Sequence, residues 1–214
     1  MATSLSAPVV VKVEGLGILE DIKNQFFIAP KGIEKATQHA LNHALNAVRA
    51  KGVRIAREKY TAKARVIRAR IKIRRVSQLA TRGEVFFNGK IGTPAGEFNI
   101  RPRQLQKWKG INPRNRKPVE GILARFLKDG PFSAIRGPHG EKSFLARYGS
   151  DLIVWYRRTK NGERGLGLRM LWGPSPIQAL SPEEARNSLA EYGLDDFRKQ
   201  LANQVRQLFR KGVA

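Results

Sequence analysis

The longest regular pattern of apolar residues in the chain lies between residues 31 and 59. Apolar side chains recur there at steps of three and four, at Ile33, Ala36, Ala40, Ala44, Ala47 and Val48. This spacing predicts a long amphipathic α-helix over about 31–59, with Pro30 in its first turn and a bend or interruption at Gly52. A second, shorter helical segment is predicted over 62–68.

At residue 70 the helical spacing gives way to an alternation of basic and apolar residues. Residues 70–76 read Arg-Ile-Lys-Ile-Arg-Arg-Val, which predicts a strand with one apolar and one basic face. Runs of branched and aromatic residues predict further strands at 84–87, 97–100, 122–127, 143–147, 152–157 and 167–171. Asn161-Gly162, between the last two runs, predicts a hairpin.

The chain returns to a helical pattern after Ser181. Ser181 is a suitable cap, Pro182 suits the first helical position, and Glu184 stands three residues after the cap. Gly193 is expected to separate this short helix from a last one, whose apolar residues are Leu194, Phe197, Leu201, Val205 and Leu208. The predicted fold class is therefore α+β: a long N-terminal amphipathic helix, a mostly antiparallel β-sheet, and C-terminal helices packed on that sheet.

The domain organisation follows from the same pattern. Residues 1–13, rich in small residues with a short β-branched piece, are predicted to form an arm, and a short helix is expected over 18–27. Residues 14–212 are predicted to form a single domain. Within it, 101–118 combines many basic residues with Pro102, Pro113 and Pro118, which predicts a long basic loop.

The composition adds a strong charge to this picture. The 214 residues include 41 Lys and Arg against 17 Asp and Glu, a formal net charge of +24. Such a chain is attracted to polyanions or to acidic protein surfaces. The chain has no cysteine, which excludes disulfides and thiolate metal sites, and no apolar run long enough to cross a membrane, so no membrane partner is expected.

The charge is unevenly distributed. Residues 49–75 hold twelve basic residues and one acid, Glu58, a local net of +11, whereas 181–196 holds five acids and one base, a net of −4. This polarity predicts contact with nucleic-acid phosphates, or head-to-tail assembly of copies; the alternative is a solvated face without a partner. The residues predicted to form a basic surface for subunit or DNA contact are Arg54, Arg57, Lys63, Arg65, Arg68, Arg70, Lys72 and Arg74.

The predicted loop is a second candidate for partner contact. Its contact residues are predicted to be Arg103, Lys107, Trp108, Lys109, Arg114 and Arg116. Trp155 and Trp172 lie in or beside predicted strands instead, and we interpret them as core or interface anchors rather than as base-stacking residues.

No catalytic constellation is legible in the sequence. His39 and His43 have metal-ligand spacing on a helix, but Ala40 stands where a zinc protease has glutamate, and only His139 remains as a third imidazole. Phosphate loops and nucleophile elbows are absent, and acids are scarce outside the C-terminal quarter. We therefore predict no catalytic residue, no metal and no cofactor, and a protein that is not an enzyme.

The order of these segments resembles the minor tail protein Z, or tail completion, family of long-tailed bacteriophages. The resemblance begins at Gly15-Leu16, continues through Ala36–Ala44, and is clearest over Tyr60–Ile73, a basic helix-to-strand passage with alternating isoleucine and basic residues. Phe98–Pro102 and Trp172–Gln178 are similar to the family's Arg-Pro segment and Gly-Pro-Ser turn, although Pro176 precedes Ile177 here in the reverse of the family order.

The resemblance implies a structural virion protein of the tail and neck, assembled in the host cytoplasm. Such a protein completes the head-proximal end of the tail and enables head–tail joining as a ring, which tail symmetry implies to be a hexamer. Its partners would be other tail and neck proteins, with non-specific contact to DNA in the channel. The alternative function is a basic nucleic-acid-binding protein of ribosomal or nucleoid type.

Overall fold

The computed structural model describes residues 9–14, 30–77, 82–89, 92–102, 119–148, 151–160 and 163–210. The helices are α1 (Pro30–Lys59), α2 (Ala64–Ala69) and α3 (Glu183–Arg210). The strands are β1 (Val9–Glu14), β2 (Ile71–Arg74), β3 (Arg82–Phe87), β4 (Thr93–Pro94), β5 (Asn99–Arg101), β6 (Val119–Glu120), β7 (Leu123–Arg125), β8 (Ser133–Ala134), β9 (Ser143–Tyr148), β10 (Asp151–Lys160), β11 (Glu163–Met170) and β12 (Trp172–Gly173). Short 3-10 helices occupy Ala95–Glu97 and Pro176–Leu180.

The fold is α+β, as the sequence predicts. The strands belong to four antiparallel sheets, with orders β1-β3-β2, β11-β10-β9-β6, β12-β4 and β5-β7-β8, whereas the sequence analysis anticipated a single sheet. Most of these strands are only two to six residues long, so they pair locally rather than extend one surface.

The chain divides into two compact units. The first comprises Met1–Ala56, Ile67–Lys90 and Ile177–Ala214, and the second comprises Arg57–Val66 and Ile91–Pro176. We refer to them as unit 1 and unit 2. Each has its own buried residues.

Among the described elements of unit 1, helix α1 supplies the largest group of buried apolar residues. Its buried positions follow the predicted steps of three and four, at Ile33, Ala36, Ala40, Leu41, Ala44, Leu45, Val48, Val53 and Ala56. The helix is continuous through Gly52, so the expected interruption there is wrong. A Cβ built on Gly52 would lie 2.6 Å from Cε1 of Phe87, so this glycine makes room for a buried ring.

Polar side chains of α1 form hydrogen bonds with the backbone of Val76, two residues after the end of strand β2. The Asn42 side chain donates to the carbonyl of Val76 at 3.3 Å and accepts from its N–H at 3.0 Å. Gln38 donates to the same carbonyl at 3.1 Å. Val76 therefore has both backbone groups satisfied without a neighbouring strand.

Helix α3 is continuous through Gly193, whereas the sequence analysis placed a division there. Leu189, Gly193, Phe197 and Leu201 are all buried and stand four residues apart, on one face of the helix. Burial of this face outweighs the cost of a helical glycine. His43 of α1 and Asp196 of α3 also meet, with Nδ1 and Oδ2 2.7 Å apart.

Unit 2 is built mainly from strands. Its buried cluster consists of Ala95, Ile100, Ile122, Ala124, Ile135, Leu145 and Val154. Strands β10 and β11 pair in the antiparallel register that the predicted hairpin requires, with Lys160 opposite Glu163. The turn residues 161–162 lie outside the described part of the chain.

Other predictions fall partly or wholly outside the described residues. Residues 1–8 of the predicted arm, the short helix at 18–27 and residues 103–118 of the basic loop are among them. Residues 9–14 form strand β1, which pairs with β3 from Val9 opposite Phe87 to Glu14 opposite Arg82.

Candidate functional site

The predicted basic surface is distributed over both units. Arg54, Arg68, Arg70, Lys72 and Arg74 belong to unit 1, whereas Arg57, Lys63 and Arg65 belong to unit 2.

In unit 1 the alternation of strand β2 gives the two faces that the sequence predicts. Ile71 is buried and Ile73 half-buried, whereas Lys72 and Arg74 are exposed. Arg54 on α1 and Arg68 on α2 are also exposed. Arg70 differs because it is half-buried, and burial lowers the pKa of its guanidinium from the ordinary value.

A carboxylate moderates the charge beside strand β2. Glu84 of β3 stands opposite Arg74 in the register, with Oε2 4.0 Å from Nη1 of Arg74. Its other oxygen lies 3.8 Å from Nε of Arg82. The outward side of this strand pair is thus mixed in charge with an excess of cations, and both Lys72 and Arg74 are exposed.

In unit 2 two of the predicted residues hold one carboxylate. Glu97 accepts from Nη2 of Arg65 at 2.9 Å, and its other oxygen lies 3.2 Å from the Lys63 ammonium as an ion pair without hydrogen-bond geometry. Glu97 is only 17% exposed, whereas both cations are more than half exposed. Lys63 and Arg65 were predicted to contact a neighbouring subunit or DNA, and part of their charge is neutralised within the chain.

A cleft of about 780 Å³ lies beside this carboxylate. One wall is the segment Tyr60–Lys63, which is fixed by hydrogen bonds from Thr61 N to Phe126 O at 2.9 Å and from Lys63 N to Glu97 O at 3.1 Å. The Thr61 hydroxyl also donates to the carbonyl of Arg125. The charged residues lining the cleft are Arg57, Lys63, Glu97, Arg125, Lys128 and Asp129.

Arg125 is a cleft residue that the sequence analysis missed. Its Nε is buried and has no hydrogen-bond partner in the described part of the chain. Its guanidinium carbon lies 5.2 Å from the centroid of the Phe132 ring, and that of Arg101 lies 4.2 Å from the same centroid. A single arginine in a predicted strand gives no signal of this pairing, which depends on strand register.

Tyr60 contributes a neutral surface to the cleft. Its side chain is buried, and burial raises the pKa of its phenol above the ordinary value. Tyr60 therefore stays uncharged at neutral pH, and the cleft charge comes from its arginine, lysine and carboxylate side chains.

The remaining predicted sites can be placed as follows. Trp172 is 50% exposed and Trp155 is half-buried. Among the described residues no group of three or more His, Cys, Asp or Glu is arranged to hold a metal ion, and His43 instead contacts Asp196. The predicted loop contacts Arg103, Lys107, Trp108, Lys109, Arg114 and Arg116 lie outside the described residues.

Comparison with known proteins adds no assignment. No family model matches the chain, and no curated protein or solved structure matches it significantly. In the part of the chain that the structure describes, no helix has both the length and the apolar character needed to span a bilayer.

Proposed function

We propose that this chain is a structural virion protein of a tailed bacteriophage that completes the head-proximal end of the tail. In this role it forms a ring, most simply of six copies, and enables the tail to join the filled head. Its function is assembly, with tail and neck proteins as partners and no catalytic step.

The observation that carries the proposal is the segment Tyr60–Ile73. It resembles the family's basic helix-to-strand passage in sequence, and it folds as helix α2 followed by strand β2. Its outward residues Arg68 and Lys72 are exposed cations, which suit a contact with an acidic surface. A ring requires one surface to meet a different surface of the next copy, and the uneven charge of the chain offers such a pair.

Deletion of the gene from its phage tests this proposal. We expect DNA-filled heads beside separate tails, or tails with an abnormal end or length, in negative-stain electron micrographs of the lysate. The wild-type gene supplied in trans should restore joined particles. Intact joined particles from the deletion phage would contradict the proposal.

The nucleic-acid-binding alternative is supported by the net charge of +24 and by the exposed cations of unit 1. Charge reversal separates it from the tail proposal. The structure favours the triple variant Arg54→Glu, Arg68→Glu and Lys72→Glu, because these side chains are exposed, whereas Arg65 holds Glu97 and Arg70 is half-buried. The matched control is Arg186→Glu, Arg198→Glu and Lys199→Glu, which reverses three exposed cations on α3.

For a tail protein we expect only weak DNA binding, with a Kd of about 1 μM or more at physiological salt and an equal loss in both triple variants. Fluorescence anisotropy with a labelled duplex measures this. Nanomolar binding by the wild type that is lost selectively in the first triple variant would favour the nucleic-acid function instead. In the phage, the first variant should fail to restore joined particles while the α3 variant restores them.

A further inference from the structure

The cleft of unit 2 carries more positive than negative charge. Four of its lining residues are cations (Arg57, Lys63, Arg125, Lys128) and two are carboxylates (Glu97, Asp129). Glu97 is already held by Lys63 and by Arg65, so Arg57, Arg125 and Lys128 dominate the field in the cleft. A concave surface concentrates such a field and attracts anions.

A further arginine, Arg101, lies near Arg125 on the sheet beside the cleft, as the strand register shows. In the β5–β7 pair, Asn99 stands opposite Arg125 and Arg101 opposite Leu123, while Ile100 and Ala124 between them are buried. Arg101 and Arg125 therefore occupy the same outward face, and both guanidinium groups lie against the Phe132 ring. Two like charges on one ring repel each other, and an anion between them relieves that repulsion.

The Nε of Arg125 is buried and has no hydrogen-bond partner in the described part of the chain, which makes this guanidinium a candidate for anion binding. A buried guanidinium N–H without an acceptor is costly, and a carboxylate or a phosphate that accepts from Nε and a terminal nitrogen together would satisfy it. The aromatic side chains of the site do not offer free faces for stacking bases, since Tyr60 and Phe98 are buried and Phe132 is covered by two guanidinium groups.

We propose that this cleft is a docking site for an acidic segment of a partner protein, whose aspartate or glutamate side chains bind Arg125, Arg57 and Lys128. Arg101 extends the site along the outward face of β5. Asp129 accepts a cationic or hydrogen-bond donor group of the same segment and fixes its direction. The proposal does not depend on the phage assignment, since it uses only the geometry of unit 2.

The test uses the full chain and two short fluorescent peptides, one alternating glutamate with glycine and the other glutamine with glycine. Anisotropy at physiological salt should show binding of the glutamate peptide and none of the glutamine peptide. Arg125→Gln and, separately, Arg57→Gln should weaken binding about tenfold. The matched control Arg54→Gln removes one exposed cation from unit 1 and should change affinity less than about twofold.

Arg57 is exposed, so Arg57→Gln keeps the test valid even if Arg125→Gln disturbs folding. Equal weakening by Arg57→Gln and Arg54→Gln would show that binding depends only on the overall charge of the chain, and would overturn the proposal. Tighter binding of single-stranded oligo-dT than of the glutamate peptide, with loss in Arg57→Gln, would make the cleft a nucleic-acid site and also overturn it. No binding of the glutamate peptide would overturn it directly. Intact joined particles from the deletion phage would contradict the tail proposal but would leave this peptide-binding measurement unaffected.

Discussion

Replacing Phe87 with alanine is expected to lower the free energy of unfolding of unit 1 by about 3–5 kcal/mol. Phe87 is fully buried, stands on the central strand β3, and is opposite both Val9 of β1 and Ile71 of β2. Its ring atoms are also the nearest neighbours of a Cβ built on Gly52 of α1. Alanine would leave a cavity between the sheet and the long helix, because the Phe87 ring packs against both. The lost stability therefore combines lost apolar burial with the cost of the void.

Phe86→Ala is the matched control for this prediction. Phe86 is the neighbouring residue on the same strand, but it points to the other face and is half-buried. We expect a loss of only about 1 kcal/mol. Urea unfolding followed by far-ultraviolet circular dichroism suits the measurement, because the long helices α1 and α3 lie largely in unit 1, whereas Trp155 and Trp172, which would dominate a fluorescence signal from the described residues, belong to unit 2. Equal losses in the two variants would show that the assigned faces of β3 are wrong.

The second large effect is expected at Gly52, where alanine should destabilise the protein although it is the better helix former. An added Cβ would lie 2.6 Å from Cε1 and 3.2 Å from Cζ of Phe87, closer than packed carbons approach. Overpacking of this kind costs about 1–3 kcal/mol, and the helix preference of alanine returns about 1 kcal/mol. We therefore expect a net loss of up to about 2 kcal/mol.

Gly32→Ala makes the same substitution in the same helix with the opposite expected sign. A Cβ there would meet only Leu208 side-chain carbons at 3.8 and 3.9 Å, which is ordinary contact. We expect a gain of about 0.5 kcal/mol from the restricted unfolded chain. The double variant Gly52→Ala with Phe87→Leu should be less destabilised than the sum of its single changes. Stabilisation by Gly52→Ala alone would contradict the proposed close packing.

Local pattern was sufficient to predict the main elements. The apolar steps of α1, the alternation of β2 and the pairing of β10 with β11 are confirmed because each depends on neighbours a few residues apart. Gly52 and Gly193 were interpreted wrongly for one shared reason. The effect of each glycine depends on what packs against it. Phe87, which packs against Gly52, is distant in sequence, and the buried face of α3 that includes Gly193 is recognised only once burial is known.

The candidate site was harder to predict than the fold. The sequence gives the sum of charges in 49–75, but it does not reveal that Glu97 pairs with Lys63 and Arg65 across more than thirty residues. Arg125 and Arg101 were invisible for a similar reason, since they become neighbours only through the β5–β7 register. The charge run therefore predicted a basic protein, whereas the distribution of that charge over two units required three-dimensional structure.

Strand β2 lies at one edge of its sheet, in the order β1-β3-β2, and this position has a consequence for crowding. An open edge can recruit a strand from another molecule and begin aggregation. Here Lys72 and Arg74 place charge along that edge, and Asn42 occupies both backbone polar groups of Val76, two residues beyond the strand. Even without a bound partner, these residues therefore act as a barrier to strand addition, which keeps many copies at high local concentration from joining through this edge.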